Sequence, residues 1–87
     1  MNNTYKEEAF ELFEEILIKY NKYSQITIKV FTLYKKTLQE FFEEYASTHY
    51  GSVHDIFSCL VEFNFELEIE WVRSLSKLKE KYKIYPI

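Results

Sequence analysis

Apolar residues recur along the first quarter of the chain with the spacing of an amphipathic helix. At about 100° per residue, one arc of the helical wheel is apolar and the opposite side carries the glutamates. The residues of the apolar arc are Tyr5, Ala9, Leu12, Phe13, Ile16, Leu17, Tyr20 and Tyr23. Thr4 followed by Glu7 forms a capping box, which marks a helix start. The pattern predicts a first helix over residues 5–22.

The next stretch, residues 25–47, gives two conflicting signals. Ile26, Ile28 and Val30 alternate with polar residues as in a strand, but only over the first third of the stretch. A helical arc covers more of it, through Val30, Phe31, Tyr34, Leu38, Phe41, Phe42 and Tyr45. We therefore predict a second helix over residues 25–47. Because neither glycine nor proline separates it from the first, one helix over residues 5–47 is an open alternative.

Gly51, the single glycine, precedes a third helical pattern. Ser52 followed by Asp55 is an N-cap signal, and the helix that it opens can run over residues 53–83. The apolar arc of this helix contains Val53, Ile56, Phe57, Leu60, Phe63, Leu67, Trp71, Leu75, Leu78 and Tyr82. Residues 63–71 also alternate strictly between apolar and polar, which is a strand pattern. The glutamates among them and the helical flanks favour one long helix.

These elements predict a single all-α domain over residues 1–87, folded as an antiparallel three-helix bundle. The alternative fold is a long two-helix hairpin that dimerises into a four-helix bundle. A chain of 87 residues supports one modest core, and its 47% hydrophobic content argues against disorder. One glycine and one proline offer few tight turns, which argues against a sandwich or a barrel.

The third predicted helix carries a second apolar stripe roughly opposite its main arc. The stripe consists of Val61, Phe65, Ile69 and Val72. One interpretation is that this helix is buried on two sides. The other is an exposed patch that joins a second copy, giving a homodimer, or a target protein. A three-helix bundle rarely covers one helix all round, so we keep both interpretations.

Charge is sorted along the chain although the net charge is only −3. When the three helices are folded antiparallel, 10 of the 11 basic residues gather at one end, which we call the basic pole. The other end, the acidic pole, collects 13 of the 14 acidic residues. Helix dipoles account for the first and third helices, but the middle helix has its lysines first and its glutamates last. The sorting therefore predicts an acidic surface that docks onto a basic one.

The chain offers little for catalysis or metal binding. His54 and Cys59 project about 140° apart on the third predicted helix, and His49 lies in the preceding loop. Asp55, Cys59 and Glu62 share a face but lack a further soft ligand. One glycine cannot build a glycine-rich phosphate loop. We predict a protein that is not an enzyme and has no metal site and no cofactor.

Two further patterns concern location. The sequence has no apolar run approaching the ~20 residues of a membrane span, and its first residues lack the apolar region of a signal peptide. A single cysteine excludes an internal disulfide. We expect no membrane partner and a cytoplasmic location, in the host cell if a mobile element encodes the chain.

The predicted function is that of a small non-enzymatic interaction module, such as an inhibitor or an immunity or anti-defence factor. Its partner is a larger protein with a basic surface. The partner-binding residues are predicted to be Glu40, Glu44, Glu62, Glu66, Glu70, Phe65 and Ile69.

Two alternative functions remain open. The first is binding of a nucleotide or of single-stranded nucleic acid at the basic pole, where lysines and stacking aromatics combine. The residues of this anion site are Lys35, Lys36, Lys77, Tyr34 and Tyr82. The second is a self-assembling structural helical protein that uses the Val61 to Val72 stripe.

Overall fold

A computed structural model of the protein describes residues 3–48, 60 and 64–84. These residues form four helices and no strand. The helices are α1 (Asn3–Lys19), α2 (Tyr23–Tyr34), α3 (Leu38–Thr48) and α4 (Phe65–Lys81). The all-α prediction is confirmed, whereas the three-helix arrangement is not.

The turn between α1 and α2 is built on Asn21. This residue has a positive φ of 57°, a conformation that asparagine adopts more readily than most residues. The Asn21 N–H donates to the Ile18 carbonyl at 3.0 Å, and the Lys22 N–H donates to the Leu17 carbonyl at 2.8 Å. This pair of bonds is a Schellman motif, which ends a helix. The alternative of a single helix over residues 5–47 is therefore wrong.

The predicted helix over residues 25–47 is in fact two helices. Lys35, with φ 57° and ψ 34°, closes α2 by donating its N–H to the Phe31 carbonyl. Thr37 then caps α3: its Oγ1 accepts from the Glu40 N–H at 3.1 Å and donates to Glu40 Oε1 at 2.8 Å. Thr37 and Glu40 form a capping box, whose spacing was present in the sequence.

The predicted helix over residues 53–83 is also interrupted. Asn64 has an extended backbone, with φ −99° and ψ 94°, and its side chain accepts from the Leu67 N–H at 3.1 Å. Asn64 is thus an N-cap, and α4 begins at Phe65. Residues 65–71 are helical, so their alternating pattern did not produce a strand. The start of the prediction, residues 53–59, and the stretch 61–63 lie outside the described residues.

The core is formed by all four helices together with Leu60. Its members are Tyr5, Ala9, Phe13, Ile16, Leu17, Ile26, Val30, Leu38, Phe41, Phe42, Leu60, Leu67, Trp71 and Leu75. Phe13 connects two sides of this core, because its ring centroid lies 5.5 Å from that of Trp71 and 5.7 Å from that of Phe42. α4 packs mainly on α1, while α2 and α3 pack on each other and on α1.

Candidate protein-binding surface

The predicted separation of charge into two poles is wrong. Three ion pairs join a lysine of the predicted basic pole to a glutamate of the acidic pole. The pairs are Lys19 with Glu70, Lys36 with Glu44, and Lys81 with Glu8. The physical reason is chain direction: α4 runs antiparallel to α1, so its lysine-rich end lies beside the glutamate-rich start of α1.

Glu70, predicted to bind a partner, is held by groups of α1 and the turn after it. Lys19 Nζ lies 3.0 and 3.1 Å from its two carboxylate oxygens, and the Tyr20 hydroxyl donates to Oε2 at 2.8 Å. The hydrogen bond from Lys19, followed by that from Tyr20, lowers the pKa of Glu70. The hydrogen bond that the Tyr20 hydroxyl donates to Glu70 raises the pKa of Tyr20. Glu70 is therefore a link between α1 and α4.

Two other glutamates that were predicted to bind a partner also make contacts within the fold. Glu40 completes the capping box of α3, and Glu44 pairs with Lys36. Glu66 is exposed on α4. Glu62 lies outside the described residues. The predicted acidic set is therefore divided between a cap (Glu40), ion pairs (Glu44 and Glu70) and Glu66, and Glu40 and Glu44 are exposed as well.

The apolar stripe of the third predicted helix is found on the outside of α4. Phe65 is 74% exposed and Val72 is 44% exposed, while Ile69 between them is half-buried. Val61, the first residue of the predicted stripe, lies outside the described residues. Glu66 and Glu68 are exposed on either side of Phe65 and Ile69. We call Phe65, Ile69 and Val72, with these two glutamates, the α4 outer face.

A second exposed apolar surface lies on α2, and the sequence did not reveal it. Ile28 is 66% exposed and Phe31 is 59% exposed, and Tyr34 is exposed as well. Phe31 and Tyr34 were predicted in the core arc of a helix over residues 25–47. Val30 of the same arc is buried as predicted, together with Ile26, because packing on α1 and α3 sets the side of α2 that meets the core. We call Ile28 and Phe31 the α2 outer face.

Four glutamates do come together, but between α1 and α3. They line an open groove of about 620 Å³, and Phe10 forms part of its apolar lining. The lining residues are Lys6, Glu7, Phe10, Glu11, Glu14, Gln39 and Glu43. The groove arises from the packing of α3 on α1, which the sequence pattern alone did not specify.

Four of the five residues of the predicted anion site have acidic or aromatic neighbours, whereas Lys35 is exposed directly after α2. Lys36 pairs with Glu44, and Tyr34 stacks on Phe41 with ring centroids 4.7 Å apart. Lys77 lies in a shallow groove between α1 and α4, whose lining includes Glu8, Glu11 and Glu15. Tyr82 packs edge-on against Tyr5 at 5.9 Å, and burial raises its pKa. These surroundings add negative charge where an anion site needs positive charge.

His49, His54 and Cys59, the residues weighed for imidazole and thiol chemistry, lie outside the described residues. Within residues 3–48, 60 and 64–84, no three histidine, cysteine, aspartate or glutamate side chains are grouped to hold a metal ion. In the same part of the chain, no helix has both the length and the hydropathy of a membrane span. Comparisons of the chain with protein-family models, curated proteins and solved structures found no match.

Proposed function

We propose that this chain is a non-enzymatic protein-binding module whose α4 outer face docks onto a larger protein. The observation that supports this is the exposure of Phe65, three-quarters of whose surface faces solvent at the first position of α4. Burying apolar surface is favourable by about 25 cal/mol per Å². An aromatic side chain held on a helix is therefore a natural anchor for an interface.

The chemistry of the partner follows from the borders of the α4 outer face. Glu66 and Glu68 flank Phe65, so a matching surface has an apolar depression with lysine or arginine at its rim. Opposite charges at the rim of an interface accelerate the encounter of two proteins and orient them, and they add less to the affinity. The proposed partner therefore has a basic surface around an apolar centre.

The proposed set of contact residues is smaller than the set predicted from the sequence. Phe65, Ile69 and Glu66 remain, and Glu62 stays a prediction because it lies outside the described residues. Glu40, Glu44 and Glu70 are assigned instead to capping and ion pairing within the chain. A module of this kind acts by covering a functional surface of its target, as an inhibitor or an immunity or anti-defence factor does, in the cytoplasm.

Affinity capture with the full chain tests this proposal. Immobilised wild-type protein is compared with a Phe65→Lys and Val72→Lys double variant in extracts of the native host. Ile18→Lys serves as the matched control, since Ile18 is also an exposed apolar residue, on α1. Fluorescence of the buried Trp71 and the helical circular dichroism signal verify that each variant is folded.

We expect the double variant to lose a protein that both the wild type and the Ile18→Lys control retain. Equal capture by all three proteins would overturn the proposal, as would equal loss in the control. The nucleotide-binding alternative predicts a different result: quenching of tyrosine fluorescence by nucleotides, lost in a Lys36→Ala and Lys77→Ala variant. A purely structural protein would capture only copies of itself.

A further inference from the structure

The α2 outer face is an apolar ridge that the core leaves uncovered. Ile28 and Phe31 are three residues apart and thus neighbours on one side of α2, while Ile26 and Val30 on the other side are buried. Burial of Ile26 and Val30 fixes the rotation of the helix, so the ridge is held toward solvent.

The segment that carries this ridge is basic in sequence. No acidic residue occurs between Ile16 and Gln39, a segment that contains five lysines, of which Lys19 and Lys36 pair with glutamates of other helices. Lys35 is exposed directly after α2, four residues beyond Phe31. The α2 outer face is thus apolar with a cationic border.

The α4 outer face has the same construction with the opposite charge. Phe65 and Ile69 are four residues apart on one side of α4, and Glu66 and Glu68 border them. We propose that the α2 outer face of one copy of this chain binds the α4 outer face of a second copy. This inference uses the same α4 outer face as the proposed function, and it rests on that proposal in no other respect.

Charge decides which faces pair. Two α2 outer faces in contact would bring lysines together, and two α4 outer faces would bring glutamates together. Only the pairing of α2 with α4 places Lys35 near Glu66 and Glu68, where unlike charges attract. Salt screens such exposed charges, so association weakens as ionic strength rises.

The geometry of this contact has two consequences. It joins different surfaces, so a growing assembly keeps one unused α2 face at one end and one unused α4 face at the other, which gives open chains unless the rotation closes a ring. In addition, a copy whose α4 outer face is occupied by another copy cannot present that face to the target. Self-association and target binding therefore compete.

Sedimentation velocity of the full chain with two blocking variants tests the proposal. Phe31→Glu adds an acid to the α2 outer face, and Phe65→Lys adds a base to the α4 outer face. We expect the wild type to form dimers and larger species as its concentration rises, while each variant alone stays monomeric. A 1:1 mixture of the two should form heterodimers and nothing larger, because it contains only one intact pair of faces.

A double variant carrying both changes is the control for a new contact between the two substituted side chains, which have opposite charges. It should remain monomeric, which shows that the mutated faces do not pair by themselves. A monomeric wild type at all concentrations, a monomeric mixture, or dimers of either single variant alone would overturn the inference. Capture of the host target by the Phe31→Glu variant, whose α4 face is intact, tests the proposed function separately.

Discussion

Lys81 and Glu8 are 73 residues apart in the chain, yet Lys81 Nζ lies 3.0 Å from Glu8 Oε1. The second ion pair between the same helices joins Lys19 to Glu70. The two pairs are eleven residues apart on α1 (19 minus 8) and eleven on α4 (81 minus 70). Equal spacing means that α1 and α4 run antiparallel and in register over roughly 16 Å.

The Lys19 and Tyr20 contacts of Glu70 predict a stability that depends on pH. Both hydrogen bonds lower the pKa of Glu70 in the folded protein below its ordinary value of 4.5. The folded state therefore binds fewer protons than the unfolded state in acid, and stability is lost as the pH falls from 4.5 toward the lower folded pKa. Chemical unfolding of Glu70→Gln, followed by Trp71 fluorescence between pH 3 and 6, should show a flatter acid profile than the wild type.

Glu15→Gln is the matched control for this measurement, because Glu15 is an exposed glutamate of α1 outside the Lys19 and Glu70 pair. The free energy of unfolding of Glu15→Gln should fall with decreasing pH as steeply as that of the wild type. Identical profiles for Glu70→Gln and the wild type would show that the pair does not contribute to folding.

The N-cap of α4 predicts the effect of substitutions at Asn64. Its side chain accepts a hydrogen bond from the Leu67 N–H, which has no partner within the helix. Asn64→Ala should lower the free energy of unfolding by about 1 kcal/mol, and Asn64→Asp should preserve it. Urea titration measures both. If α4 instead continued a longer helix, alanine would stabilise the protein, since it is the better helix former.

The sequence predicted α1 well because its local signals agreed with its tertiary surroundings. The apolar arc indicated one helix, and Tyr5, Ala9 and Phe13 of that arc are buried. The helix begins at Asn3, so the capping box predicted at Thr4 did not mark its start. The breaks at Lys35 and Asn64 were missed for a common reason. A helical wheel drawn across either break still collects apolar residues on one arc, so periodicity does not report the interruption, and only the capping residues do.

The candidate surfaces depended on those breaks. Each missed break changes the direction of the chain that follows, so the predicted poles placed Lys81 far from Glu8, with which it pairs. Exposure of Phe65 was predictable, since its stripe lies opposite the core arc of the same helix. Exposure of Phe31 was not, because the side of α2 that meets the core is set by packing on α1 and α3.

The left-handed conformation of Lys35 predicts a stabilising substitution. A residue with a Cβ is disfavoured at φ 57° and ψ 34°, whereas glycine adopts this conformation without steric cost. Lys35→Gly should therefore raise the free energy of unfolding by up to about 1 kcal/mol. Thr32→Gly, inside α2, is the control and should lower it by about 0.3–0.5 kcal/mol, because glycine is a poorer helix former than threonine. Thermal and urea unfolding measure both, and a loss of stability in Lys35→Gly would contradict the αL assignment.

Tyr5 predicts the behaviour of the protein in alkali. Its ring is buried against Tyr82, and its hydroxyl has no hydrogen-bond partner in the described part of the chain. Burial raises the pKa of Tyr5 from 10.0 to about 12. Between these values the unfolded chain ionises while the folded chain keeps its proton, so stability falls as the pH rises from 10 toward 12.

Tyr5→Phe should remove this contribution to the loss of stability in alkali. At neutral pH it should also leave the free energy of unfolding unchanged or raise it by about 1 kcal/mol, because a buried hydroxyl without a partner is costly. Tyr20→Phe is the contrasting control, since it removes a hydroxyl that donates to Glu70 at 2.8 Å, and it should lower stability at neutral pH. Urea titrations of both variants at pH 7 and pH 11 separate the two cases. A clear loss of stability in Tyr5→Phe at pH 7 would mean that the hydroxyl has an acceptor, because only a satisfied hydroxyl stabilises a buried position.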